Sequence, residues 1–598
     1  MNKMKRISLL VVAMMVFLVS AVPTMAKEKE APVSREITNV QAFTKLYGYI
    51  RFFHPSDENE KIDWQRFAIY GVSKARAAKS DKELTAALQE LFYPIAPTMR
   101  FTNKDKAARL NRPKQARNLT AWLHQGVKMN SPQEMYTSER LQSEGTSEIL
   151  LQKHILKPGE VVVKQITPGV FAHIPIVLYR DSKGTIGATA ESADRLTKLQ
   201  QQLAKIKLDK VSLNDRNVQL ANVVITWNAI QHFYPYFDVV KVDWERTLID
   251  ALQQSLNNRT LDQYSLTMKR MLAKLQDGHS LFIVPELERE AVYAPYRVEW
   301  IEDQVVVTNA KEETGLKPGD VILMINGKKA DSHFKELELT MQGSRQYKRI
   351  LAAREFYIGK KGTEARLTVQ RGKTKLDLTI LYGDRTVEEF ITPGVVEQVK
   401  DGIYYVNLTR LTEDMFQQNL SKLGHAKGVI FDLRGYPYPG TIGINILKYL
   451  TDSPFQTPQF HMPLFVFPDH ENVKFNLIQY THEPEKSKLK GKVAFLTYGG
   501  AVSYSETIMG IVEHYRLADI IGQPTAGANG DANFIQLPGG CIVGWTGLVT
   551  LKQDGSQHHL IGIQPTVLVQ RTIKEVREGR DVYLEKAIET INAKQNNQ

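Results

Sequence analysis

The sequence predicts a multidomain α/β protein. Three observations carry that reading: a duplicated helical segment in the first half, β-rich tracts after each copy, and a final third in which strands and helices alternate. At 598 residues the chain is long enough for several domains, each with its own core.

The first residues set the compartment. Lys3, Lys5 and Arg6 precede an apolar run from Ile7 to Val22, and Thr24-Met25-Ala26 supplies a small-x-small cleavage site. A membrane span needs roughly 20 apolar residues, and Pro23 ends this run early. Residues 1–26 therefore read as a signal peptide. The mature protein is expected to be exported, periplasmic or secreted, without stable membrane insertion. A lone cysteine, Cys541, cannot form an internal disulfide in such a space, so ordinary cores must hold the fold. The formal charge of +12 is scattered and not clustered with aromatics, so no nucleic-acid partner is expected.

The helical segment occurs twice, in 27–103 and 195–290. Residues 39–67 read NVQAFTKLYGYIRFFHPSDENEKIDWQRF, and residues 217–248 read NVQLANVVITWNAIQHFYPYFDVVKVDWERTL. In each an amphipathic helix ends in an aromatic cluster and a proline, Pro55 or Pro235. Asp63-Trp64 or Asp243-Trp244 then opens a second helix, the aspartate satisfying its first free N–H groups. The copies diverge at their ends. The second runs into Asp277-Gly278-His279-Ser280, whereas the first has Pro97-Thr98-Met99 there and no histidine.

Between the copies, 104–194 carries β-branched runs such as Glu160–Val163 and Ile174–Tyr179, punctuated by Gly and Pro, and reads as a β-rich domain. A helical stretch, Leu196 to Leu208, joins it to the second copy. In 291–382 short strands surround Thr314-Gly315-Leu316-Lys317-Pro318-Gly319-Asp320, and a following strand ends in an Asn326-Gly327 hairpin turn. This tract resembles a PDZ domain, a module that captures peptides by adding them to a sheet edge. The last segment, 383–598, has strand candidates at Gly402–Val406, Gly428–Leu433, Lys492–Tyr498 and Ala518–Ile521, with a helix from Ser505 to His514.

Catalytic groups in such folds gather where strands end and helices begin. Gly499-Gly500-Ala501-Val502-Ser503-Tyr504-Ser505-Glu506 lies at such a junction. The helix start offers free N–H groups that can hold an oxyanion, although Ser-x-Ser-Glu is also an ordinary helix cap. No metal-binding pattern is present, since His558-His559 has no spaced partner, and no cofactor is expected.

Taken in order, Leu275–Ser280, Gly315–Asp320, Phe431-Asp432-Leu433-Arg434-Gly435, Ser503-Tyr504-Ser505-Glu506 and Ile521–Gly527 resemble the S41 peptidases, the C-terminal-processing or tail-specific proteases, over roughly the last two-thirds of the chain. The resemblance implies Ser503 as nucleophile and an oxyanion held by the N–H of Tyr504 plus one from the loop after Arg434. That loop reads Gly435-Tyr436-Pro437-Tyr438-Pro439-Gly440. Gly440 and Tyr436 are donor candidates, while the prolines have no N–H to give. One branch of the family places a lysine base where this chain has Ala528. The other, similar to tricorn protease, uses a histidine in the position of His279, a side chain suited to proton transfer near neutral pH. The residue orienting that base is open. His559 occupies the approximate place of the family's glutamate; the alternatives are Asp277, Asp554 or Glu506, tuning of the ring by Ser280 instead, or no orienting residue at all. The function this implies is an exported serine endopeptidase acting on peptide or unfolded protein segments captured by the PDZ-like domain. A noncatalytic peptide-binding protein on the same scaffold is the competing reading, motivated by the altered oxyanion loop. A glycan-binding role for the β-rich tract is a third.

Overall fold

A computed structural model of the chain describes residues 33–106, 108–127, 135–142, 155–383 and 387–593. The expected signal peptide lies outside the described residues.

Each helical copy folds as three helices followed by a short strand. The first comprises Arg35–Phe53, Trp64–Arg76, Asp81–Phe92 and the strand Arg100–Thr102. The second comprises Arg216–Phe233, Trp244–Asn257, Leu261–Ala273 and the strand Leu281–Ile283. The capping chemistry repeats with the helices. Asp63 and Asp243 accept from Arg66 N and Arg246 N, and Ser80 and Thr260 accept from Glu83 N and Gln263 N. The side chains of Tyr47 and Trp227 donate to the main-chain oxygens of Trp64 and Trp244, in each case 17 residues on. The two units share one apolar core, which also takes in strands of the β-rich region and of the C-terminal region. Their first helices approach closely at Gly48, where a Cβ would collide with Asn228 and His232.

Two antiparallel sheets form the region between the copies. One orders Ser138–Gln142, Asn118–His124, Val177–Asp181 and Gly184–Thr185; the other orders Arg100–Thr102, Val170–Pro175 and Val161–Thr167. The joining helix runs Ala190–Leu203, starting earlier than its apolar period suggests because Thr189 and Ser192 form a capping box. In 291–382 a sheet orders Tyr296–Ile301, Gln304–Ala310, Val321–Ile325, Glu364–Arg371 and Thr374–Leu381, with helices Ala330–Glu338 and Arg345–Phe356 beside it. Asn326 and Gly327 both have positive φ, 49° and 80°, the geometry a two-residue hairpin requires.

The C-terminal region is built on a six-stranded sheet ordered Val396–Lys400, Ile403–Asn407, Gly428–Asp432, Lys492–Thr497, Asp519–Gly522 and Val567–Leu568, all parallel after the first pair. Alternate residues face opposite cores. Val429, Phe431 and Phe495 pack with Phe416, Ile508 and Val512 on one side. Ile430, Ala494 and Leu496 pack with Val582, Ala587 and Ile591 on the other. Such two-sided burial explains the continuous apolar runs of the central strands. A separate three-stranded sheet, Ala532–Gln536, Ile542–Thr546 and Leu281–Ile283, joins the end of the second helical copy to the C-terminal region, with Gly544 opposite Leu281 and Ile542 opposite Ile283.

Candidate active site

The strand Lys492–Thr497 delivers the chain to Gly499-Gly500, and the helix Tyr504–Tyr515 leaves from Ser503. Ser503 stands at φ 57°, ψ −114°, a region that L side chains avoid. A serine on a sharp strand-to-helix turn of this kind projects its hydroxyl away from the sheet. The Tyr504 N–H donates to nothing among the described residues and lies at the positive end of the helix.

Glu506 fixes that turn. Fully buried, it accepts from Ser503 N (3.3 Å), Gly527 N (2.7 Å), Ala528 N (2.8 Å) and the Thr525 hydroxyl (2.5 Å). His558 Nε2 lies 3.3 Å from the same carboxylate. Burial alone would raise the Glu506 pKa, but His558 and the converging donors outweigh it and hold the carboxyl below its ordinary value. The side chain joins the nucleophile turn to the Thr525-Ala526-Gly527 turn and is a structural carboxylate.

His279 arrives on a loop that begins with Gln276 in the left-handed region, φ 51°, and leads into the strand Leu281–Ile283. The pairing of that strand with Ile542–Thr546 sets Thr546 beside the ring, with 2.9 Å between His279 Nδ1 and Thr546 Oγ1. Asp277, wholly buried, accepts from Thr546 Oγ1 (2.5 Å), Thr546 N (2.7 Å) and His279 N (3.0 Å). The loop is pressed against Ala528, next to the Thr525-Ala526-Gly527 turn. A Cβ on Gly278 would sit 2.4 Å from that of Ala528, whose carbonyl oxygen accepts from Ser503 N at 2.9 Å. Ser503 and the His279 loop thus flank one residue, Ala528. A longer side chain at 528 would have to pass Gly278 of that loop.

The remaining candidates separate by position. His559 stacks flat on Tyr236, with ring centroids 3.9 Å apart, and its Nε2 lies 3.5 Å from the Tyr234 hydroxyl. It makes no hydrogen bond to His279 among the described contacts, and burial lowers its pKa to about 4, keeping it neutral. Asp554 sits in an exposed turn, accepting from Ser556 N. The Ser280 hydroxyl is buried without a partner. On the loop after Arg434, Gly435 O accepts from Ser505 Oγ at 3.0 Å, and the Tyr436 side chain lies near Ser503. Gly440 is exposed at φ 82°, with open space on its Cβ side. Arg434 anchors the start of this loop by forking onto Asp432 and Asp581. Thr546 is the residue at this site that sequence reading missed. It stands 267 positions from His279 in a strand with no motif, and only the strand register could have revealed it.

This site, at the carboxyl ends of parallel strands, has the makings of a serine hydrolase: a strained serine at a helix start, a Tyr504 N–H with no acceptor among the described residues, and a histidine loop packed on the neighbouring Ala528. The chain is also similar to known serine proteases. The family model for peptidase family S41 matches residues 449–569. The carboxy-terminal processing protease CtpB of Bacillus subtilis is 24% identical over 384 residues, 62% of this chain and 72% of that protein. A CtpA-like serine protease of Staphylococcus aureus is 25% identical over 323 residues, 50% of this chain and 58% of that protein, so this chain spans less than two thirds of the staphylococcal relative. A solved structure of mature CPAF, 14% identical, superposes with a TM-score of 0.51 over 64% of this chain and 99% of that one, a likeness of fold. The chain is a serine-type peptidase, a hydrolase, and its residues 449–569 carry the match to peptidase family S41.

Proposed function

We propose that this peptidase cleaves peptide or unfolded protein segments through an acyl-enzyme at Ser503, with His279 as general base. The observation that carries the reading is the packing of the His279 loop and the Ser503 turn on either side of Ala528. His279 Nε2 takes the Ser503 proton as Oγ bonds to the substrate carbonyl carbon. The oxyanion is held by Tyr504 N–H and by an N–H of the loop after Arg434, Tyr436 or Gly440. The C–N bond then breaks, and His279 passes its proton to the departing amine. A water attacks the ester, gives a proton to the imidazole, and the acid leaves as Ser503 regains its hydrogen.

The PDZ-like module of 291–382 presents the substrate by strand addition. Ser344 Oγ donates to Ala526 O at 2.7 Å and Gln346 Nε2 to Thr525 O at 2.9 Å, so the module is seated on the turn that Glu506 binds to the nucleophile. Residues 1–26 direct export, and no helix among the described residues is long and apolar enough to cross a membrane. Hydrolysis of an unfolded protein tests the reading. Ser503→Ala and His279→Ala each lower kcat/KM by about 10³-fold or more, with thermal stability near that of the parent. Full activity in the Ser503 variant contradicts it.

A further inference from the structure

We infer that Thr546 is a positioning residue for His279, its hydroxyl linking the ring to the buried Asp277 carboxylate and fixing the proton on Nδ1. This rests on the reading of His279 as the base.

The direction of each hydrogen bond follows from the donors available. Three point at Asp277: His279 N–H, Thr546 N–H and the Thr546 hydroxyl at 2.5 Å. An ionised carboxylate accepts all three, whereas an amide or protonated acid in its place would set donor against donor. A threonine hydroxyl has one proton. That proton goes to Asp277, so Thr546 Oγ1 receives the 2.9 Å bond from Nδ1–H of His279. The neutral ring then carries its lone pair on Nε2, the nitrogen a general base must use. When the ring takes the serine proton, the aspartate charge faces the imidazolium through one polarisable hydroxyl. A buried aspartate bonded directly to a histidine does the same work in other serine hydrolases; here a hydroxyl is interposed, because Asp277 lies two residues before the histidine and is held by the facing strand. Asp277 and Thr546 are both fully buried, so water does not compete for these bonds.

The titratable groups around the ring are Asp277 on its own loop and His559 from the segment before Gly562. Behind them Tyr136, Tyr234 and Tyr236 lie within electrostatic range of Asp277, and Glu506 accepts from the nucleophile's N–H. Among the described residues, Asp277 alone reaches the ring through a hydrogen-bonded chain. His559 is turned onto Tyr236.

The experiment compares Thr546→Val, Thr546→Ser and Ser503→Ala in the full chain, measuring kcat, KM and the pH profile of kcat/KM. Valine keeps the shape and the backbone N–H to Asp277 and removes only the hydroxyl. Thr546→Val is expected to lower kcat about 100-fold at unchanged KM. The acid limb of its profile should move to lower pH, because the imidazolium loses its partner. Thr546→Ser restores both rate and profile. If Ser503→Ala is inactive while Thr546→Val keeps the parental kcat and acid limb, the relay is wrong and the serine mechanism stands. If Thr546→Val loses activity and Thr546→Ser, folded by its melting temperature, fails to recover it, the hydroxyl is not the working group and the relay is again overturned. Parental activity in Ser503→Ala overturns both readings.

Discussion

Ser503 holds a backbone conformation that glycine adopts freely and other residues do not, and the donors converging on Glu506 maintain it. Replacing the serine with glycine removes the strain, whereas replacing it with alanine keeps it. Ser503→Gly is therefore expected to be more stable than Ser503→Ala by about 1 kcal/mol, the reverse of their usual order, with both inactive. Denaturant midpoints measure this, and an alanine variant at least as stable as the glycine one contradicts the strain. The serine and the histidine were legible in the sequence because each sits in a short ordered motif. Thr546 was not, since its role comes from a neighbour across a sheet. The pairing of buried Glu506 with His558 was not foreseen, because a pair of adjacent histidines announces nothing about which of them meets a carboxylate. Cys541 is buried, and burial raises its thiol pKa to about 12, which keeps it unreactive.

At the scale of elements, local chemistry decided what could be read. Capping residues and helical period marked the helices of both copies, and the helix expected over Ser505 to His514 runs Tyr504–Tyr515. Asn326-Gly327 marked its hairpin for the same reason, as positive φ at two successive positions selects those residues. The decisive element was invisible. Leu281–Ile283 is a three-residue strand whose partner begins at Ile542, and alternation of apolar residues identifies a strand without naming the strand it joins. That pairing carries His279 to Thr546 and aligns Asp277 with the facing backbone. The mixed α/β architecture could be inferred from periodicity alone. The meeting of the second helical copy with the C-terminal sheet could not.

At the scale of the whole molecule, the helical copies, the β-rich region and the C-terminal region share one apolar core, and histidines are buried within it. Burial lowers the pKa of His54 and His232 to about 3 and of His124 and His559 to about 4, from an ordinary value of 6.5. Below pH 6.5 the unfolded chain takes up protons that the folded one refuses. Each such histidine therefore stabilises the fold fully above that pH and loses up to about 1.4 kcal/mol per pH unit below it, until its folded pKa is reached. Melting temperature should be nearly level above pH 7 and fall steeply between pH 6.5 and 4; a level profile down to pH 4.5 contradicts the burial of these rings. The central claim is that folding places an imidazole of the second helical copy against a serine of the C-terminal sheet. Labelling with a serine-reactive fluorophosphonate, followed by peptide mapping, tests it most directly. A single modified residue is expected, Ser503, whose labelling is abolished in His279→Ala at unchanged melting temperature. Absence of label on well-folded protein, or labelling of Ser503 at the parental rate without His279, would contradict it.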